Sequence, residues 1–294
     1  MYNKNDSFFS QNESLYINYS KNSISNIIQL SILSLTILFA IVYTVLIIVR
    51  PTFRKNKHNW FTINVCIATI LLGINMIITV VADPFHPSAI LPCRVQGFFL
   101  ILSANQLMYS HCVAAISRVL TIVYAHKHFF RSRICIWTSI GSGWLVALFI
   151  SLYDLFIDNF GCLNVQGASF LTCYTLVTTF GIPIVIITIC NGRILRYVRQ
   201  STRQIHATGS RALMSHARDV HLFKVMIITF VVFLVGWAPV FIIRIFGMNE
   251  NLPRFLDNIL QILPSLTMLH DVLFLMLTNQ PIRLFLKQLL VRRV

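Results

Sequence analysis

Apolar residues run along this chain in blocks too long for the core of a water-soluble domain. Seven stretches, 27–49, 60–82, 96–122, 134–157, 168–192, 221–246 and 255–278, reach or approach the roughly 20 residues that a helix needs to cross a bilayer. The first, fifth and sixth are the most uniformly apolar. The third is interrupted by Ser103, Asn105, Gln106, Ser110 and His111. That pattern predicts a helix inside the bundle, where neighbouring helices satisfy polar groups. The linkers are short except 193–220, which is basic and polar. The expected fold class is an all-α membrane protein, a seven-transmembrane helix bundle with no large domain outside the bilayer. Its expected parts are a polar N-terminus over 1–26, the bundle over 27–278, and a short amphipathic helix and tail over 279–294.

Composition points the same way. The 294 residues are 56% hydrophobic and only 11% charged, against about 25% charged in soluble domains. A net charge of +15 suggests nucleic acid in a soluble protein. Here the basic residues lie between apolar runs that nucleic-acid-binding folds do not contain, so no nucleic-acid partner is expected and the lipid bilayer is. With the N-terminus outside, nineteen of the 24 lysines and arginines fall on inner segments, as the positive-inside rule requires. Residues 1–26 lack the apolar core of a signal peptide. They carry three glycosylation sequons, at Asn5, Asn12 and Asn18, which fit an extracellular N-terminus. Plasma-membrane localisation as a multi-pass protein follows.

Several residues give this arrangement a family resemblance. Cys93 opens the third span and Arg118, in Ser117-Arg118-Val119, closes it. At 1.5 Å per residue the interval covers most of a bilayer. Trp144 stands in the fourth span, Pro183 in the fifth, and Phe233-Leu-Val-Gly236-Trp237-Ala-Pro239 in the sixth. Asp271 lies near the end of the seventh, ahead of alternating apolar and basic residues over 282–293. Together these resemble the rhodopsin-like G-protein-coupled receptors over nearly the whole chain, in a divergent form. The sixth-span motif matches Phe-x-x-Cys-Trp-x-Pro with Gly236 for the cysteine.

The resemblance implies a disulfide from Cys93 to the second outer loop, with Cys162 the preferred partner and Cys173 the alternative. It also implies an activation switch of Arg118, Asp219, Phe233, Trp237, Pro239, Asp271 and Pro183. Asp219 lies about five turns before Trp237 and is the acid expected to pair with Arg118 at rest. Ligand-binding candidates are Asp83, Leu100, Phe241, Arg244, Gln261 and Ser265. Leu100 takes the place of the aspartate of amine receptors, which disfavours amines. Arg244, two turns beyond Trp237, favours a peptide or a small anionic or polar molecule. The expected partners are such an extracellular ligand and a cytoplasmic heterotrimeric G protein. After Thr278 no Ser, Thr or Cys occurs, so arrestin is expected to engage the tail weakly.

The departures are as specific as the matches. Thr69 stands where the family has an aspartate in the second span, which puts its sodium site in doubt. Ile41 replaces the asparagine of the first span, Asn191 the tyrosine of the fifth, and Val272 and Leu275 the proline and tyrosine after Asp271. Residues 255–278 hold no lysine, so a retinal pigment is not expected. No phosphate-binding loop, His-Glu-x-x-His pair or Ser-His-Asp arrangement occurs, so no enzyme activity, cofactor or metal is expected. A multi-pass transporter or channel and a non-coupling receptor-like protein stay open as alternatives.

Overall fold

Backbone in a bilayer must bond its own N–H and C=O groups, and apolar blocks of this length do so as helices. The computed structural model describes residues 4–54, 58–82, 93–124, 132–156, 169–205 and 253–279, with shorter stretches at 227–228, 231–232, 234–240, 242–243, 282–283 and 288. The elements are α1 (Lys4–Val49), α2 (Pro51–Arg54), α3 (His58–Ala82), α4 (Cys93–Ile122) and α5 (Arg133–Phe156). They continue with α6 (Ser169–Leu176), a π-helical turn (Val177–Gly181), α7 (Ile182–Ile205) and α8 (Arg254–Thr278). No strand occurs among the described residues.

Six helices are long and apolar enough to cross a membrane: Ile24–Val49, Asn59–Val81, Val95–Ile122, Arg133–Tyr153, Cys173–Gln200 and Asn258–Thr278. They match six of the seven expected blocks. The remaining block, the sixth at 221–246, is helical wherever it is described, most continuously over 234–240.

Two helices outrun their apolar blocks. Residues 4–49 contain neither Gly nor Pro, so nothing breaks α1 before Lys4 and it includes the stretch bearing Asn5, Asn12 and Asn18. At the other extreme, α7 continues to Ile205 into the segment expected to be a linker. Its sequence there keeps a helical period: Ile194 and Val198 are buried against Val119, while Arg193, Arg196 and Arg199 are exposed. A one-sided apolar stripe of this kind holds a helix against its neighbour beyond the bilayer.

α4 is the central element, packed against α3, α5 and α7, while α1 lies against α3 and α8. The polar residues that interrupt the third block are inside as expected: Ser103, Asn105, Gln106 and Ser110 are all buried. Large apolar side chains such as Leu145, Phe149, Val185 and Ile189 point outward, where lipid is the solvent. Ile41 is among the outward residues, while Ala40 and Tyr43 face inward. The comparison of Ile41 with an interior asparagine therefore does not hold. Beyond α8, Ile282 is fully buried with Tyr43 and Ile47 and Arg283 is exposed; most of the expected amphipathic segment, 279–294, lies outside the described residues.

Candidate functional site

The interior is organised in polar and apolar layers strung along α4. One polar layer joins three helices. Asn64 Nδ2 donates to Ser110 Oγ at 2.9 Å, the Trp144 indole donates to Asn64 Oδ1 at 3.0 Å, and Gln106 Nε2 donates to Ser110 Oγ at 3.2 Å. Asn64 is thereby bonded by neighbouring spans on both sides, the kind of pairing that buries polar groups away from water. Trp144, expected on resemblance, is thus a fastening between α5 and α3.

A second layer surrounds the π-helical turn before Pro183. In a π-turn each N–H reaches back five residues, and the Ile182 N–H bonds Val177 O accordingly. The next N–H in that register would be that of Pro183, which has none. The Thr178 carbonyl is left for another donor, and the Tyr109 hydroxyl supplies it at 3.0 Å. Alongside, Thr179 donates to Asn105 Oδ1 at 2.7 Å and Asn105 Nδ2 donates to Ser151 at 3.1 Å. Pro183 therefore works by opening a carbonyl through which α4 grips the π-helical turn ahead of α7.

Trp237 is buried in an apolar cluster with Leu33, Val65, Ala68, Leu72, Leu107, Met108, Phe180 and Met268. Its ring lies 6.4 Å from that of Phe180, tilted by 38°. Leu100, Ala104, Met76, Ile77 and Ile184 border the cluster. The neighbouring Gly236 explains a departure from the resemblance: a β-carbon there would fall on the Thr267 side chain, 2.7 Å from its Oγ1. Glycine is what lets the 234–240 stretch approach α8 this closely. Thr267 itself donates to Pro264 O at 2.8 Å. Pro264, inside α8, breaks that helix's ladder and was not singled out from the sequence.

One turn farther along, Asp271 is buried, with His111 Nε2 at 3.0 Å from Asp271 Oδ2. Sequence reasoning found both residues and did not join them. They are 160 positions apart, and most other histidines sit in linkers. At the Arg118 end, Asn279 Nδ2 donates to the Tyr43 hydroxyl at 2.9 Å and to Asn59 Oδ1 at 3.3 Å. Asn59 Nδ2 donates in turn to Phe53 O at 2.8 Å. Arg118 is half-buried near this network, within electrostatic reach of Tyr43.

The expected residues divide accordingly. Trp237, Pro183 and Asp271 are buried, and Pro239 and Arg118 are half-buried. Leu100 borders the Trp237 cluster, Ser265 is fully buried on α8 and Gln261 is exposed. Asp83, Cys162, Asp219, Phe233, Phe241 and Arg244 lie outside the described residues, as do the side chains of Cys93, Asn5, Asn12 and Asn18. Cys173 is an exposed free thiol.

The sodium ion that the resemblance implies does not fit these residues. Thr69 turns its hydroxyl back on Val65 O at 2.9 Å, and the buried acid Asp271 faces His111. Among the described residues no three His, Cys, Asp or Glu side chains converge.

The family model for the 7 transmembrane receptor (rhodopsin family) matches residues 40–273. Among curated proteins the chain is similar to melatonin receptor type 1A of Gallus gallus, 26% identical over 233 residues, covering 71% of this chain and 64% of that one. It is 26% identical over 212 residues to melatonin receptor type 1B of Rattus norvegicus, covering 66% and 56%. To melatonin receptor type 1C of Xenopus laevis it is 25% identical over 231 residues, covering 71% and 54%. The matched stretch thus spans between about half and two thirds of these relatives' length.

Proposed function

Because the chain belongs to the rhodopsin family of 7 transmembrane receptors, a family of receptors and not of enzymes, we propose that an extracellular ligand settles between the spans on the Cys93 side of Trp237 and drives nucleotide exchange in a heterotrimeric G protein at the Arg118 end. The observation that supports this most is the placement of Trp237. It shares one apolar cluster with residues of α1, α3, α4, the π-helical turn and α8 and stands two residues before Pro239. A ligand pressing on this cluster has a differential effect on two arrangements of the bundle, which is what a population shift requires. Outward motion of the sixth span about Pro239 then opens a groove beside Arg118 for a G-protein helix.

The surroundings of Trp237 favour a ligand with an apolar body and uncharged polar groups. Leu100, Ala104, Met76, Ile77 and Ile184 border it, with the neutral groups of Asn75, Ser103, Asn105 and Thr179 on the same helices. Melatonin, after which the similar receptors are named, is the first probe. A small anion or peptide carboxylate is the second reading, carried by Arg244 two turns beyond Trp237. The N-terminus is extracellular in this proposal, with glycans at Asn5, Asn12 and Asn18 and a Cys93–Cys162 disulfide.

The test is expression of the full chain with a mixed set of G proteins, reading nucleotide exchange against melatonin, monoamines, small carboxylates and short peptides. Exchange that Arg118→Ala abolishes without loss of surface expression is expected. Ion current without exchange would favour a channel, and silence across the panel a receptor-like protein that no longer couples.

A further inference from the structure

We infer that His111 is the resident polar partner of Asp271, clasping α4 to α8 across the bundle and holding the arrangement in which exchange is low. This rests on the receptor reading for its consequence but not for its geometry.

α8 packs its length against α1 and, less extensively, α3, whereas α4 packs against α3, α5 and α7. α4 and α8 therefore meet mainly through side chains reaching inward, and the 3.0 Å contact of His111 Nε2 with Asp271 Oδ2 is such a bridge. Asp271 is 4% exposed. A carboxyl group at that depth is costly unless partnered, and three hydroxyls of the facing helices are committed elsewhere. Thr69 bonds its own helix, Ser110 serves Asn64 and Gln106, and Thr267 bonds Pro264 O. The surrounding positions, Leu107, Met108, Met268 and Val272, are apolar and buried. His111 from the facing span meets Asp271 through Oδ2, while Asp271 Oδ1 has no hydrogen-bond partner among the described residues.

The position gives the pair its leverage. His111 follows Met108 by about one turn and precedes Arg118 by two turns on the same face. Asp271 follows Met268 of the Trp237 cluster by about one turn and precedes Asn279, which bonds Tyr43 and Asn59. Displacement of the Trp237 layer thus reaches the Arg118 layer through helices joined at this point. Loss of either partner leaves a buried polar group uncompensated in the clasped arrangement and frees α4 and α8 to separate.

The test uses the full chain in lipid nanodiscs, with His111→Asn, Asp271→Asn, the double variant, and the exchanged pair His111→Asp with Asp271→His. Each single variant lowers the thermal unfolding midpoint, the double loses less than the sum of the two, and the exchanged pair recovers. Basal nucleotide exchange rises about fivefold or more in the singles and falls back in the exchanged pair, a reversal that mere loss of packing does not produce. The wild-type midpoint is the same in sodium chloride and choline chloride at equal ionic strength. Additive losses, no recovery in the exchanged pair, or stabilisation specific to sodium would each overturn the clasp. Coupled midpoints with no exchange in any variant would leave the clasp standing and defeat the receptor reading instead.

Discussion

Gly236 offers the most direct test of how the sixth span meets α8. Replacing it with alanine adds one methyl group, and that methyl would overlap the Cγ2, Oγ1 and Cβ atoms of Thr267. The threonine cannot rotate out of the way freely, because its hydroxyl is held on Pro264 O at 2.8 Å and even its Cβ lies within contact range. Overpacking a close interface costs about 1–3 kcal/mol, a fall of roughly 2–5 °C in midpoint for a protein of this size. Thr267→Ala alone removes a methyl and a local hydrogen bond and costs about 1 kcal/mol. The informative variant is the double, Gly236→Ala with Thr267→Gly, which clears the space the new methyl needs. It is expected to melt well above the sum of its single losses, measured on the full chain in nanodiscs. If Gly236→Ala melts like the wild type, or its loss adds simply to that of Thr267→Gly, the close approach is not a feature of the fold.

Other outcomes follow from the layers on α4. Tyr109→Phe removes the donor to Thr178 O and is expected to cost about 0.6–1.7 kcal/mol, the range for hydrogen bonds between spans, read as a lower unfolding midpoint. Asn64→Leu strips the Trp144 indole of its acceptor and Ser110 of a donor, and is expected to destabilise more than Trp144→Phe, which removes only one side of that bond. Surface protein is expected to shift in gel mobility on deglycosylation, in steps lost one at a time with Asn5→Gln, Asn12→Gln and Asn18→Gln. A chain that shows no such shift would speak against an extracellular N-terminus.

Spans were legible because bilayer thickness imposes a length on apolar runs, and 27–49 or 60–82 can be read by counting. Burial of the α4 polar residues was equally legible, since Asn105, Gln106 and Ser110 have no place facing lipid. The limits were physical as well. The end of α7 at Ile205 depends on Ile194 and Val198 packing against Val119, a tertiary contact that hydropathy does not report. Ile41 was misjudged because a resemblance in register says nothing of which way a residue points. The pairing of His111 with Asp271, and the reason for Gly236, required two helices distant in sequence to be placed side by side. Pro183 was noticed as a family feature, but its effect, a carbonyl released to Tyr109, emerges only once the π-turn is seen.

The account stands on one placement: the Arg118 end of the bundle in the cytosol and the Cys93 end outside the cell. Single cysteines introduced at Arg199 on the exposed face of α7 and at Ser20 in the N-terminal region, in a background with the other reactive thiols removed, can be probed on intact cells with a membrane-impermeant maleimide. Labelling at position 20 before permeabilisation and at position 199 only after it is the predicted result. Labelling of position 199 on intact cells would contradict the account, because no G protein could then reach Arg118.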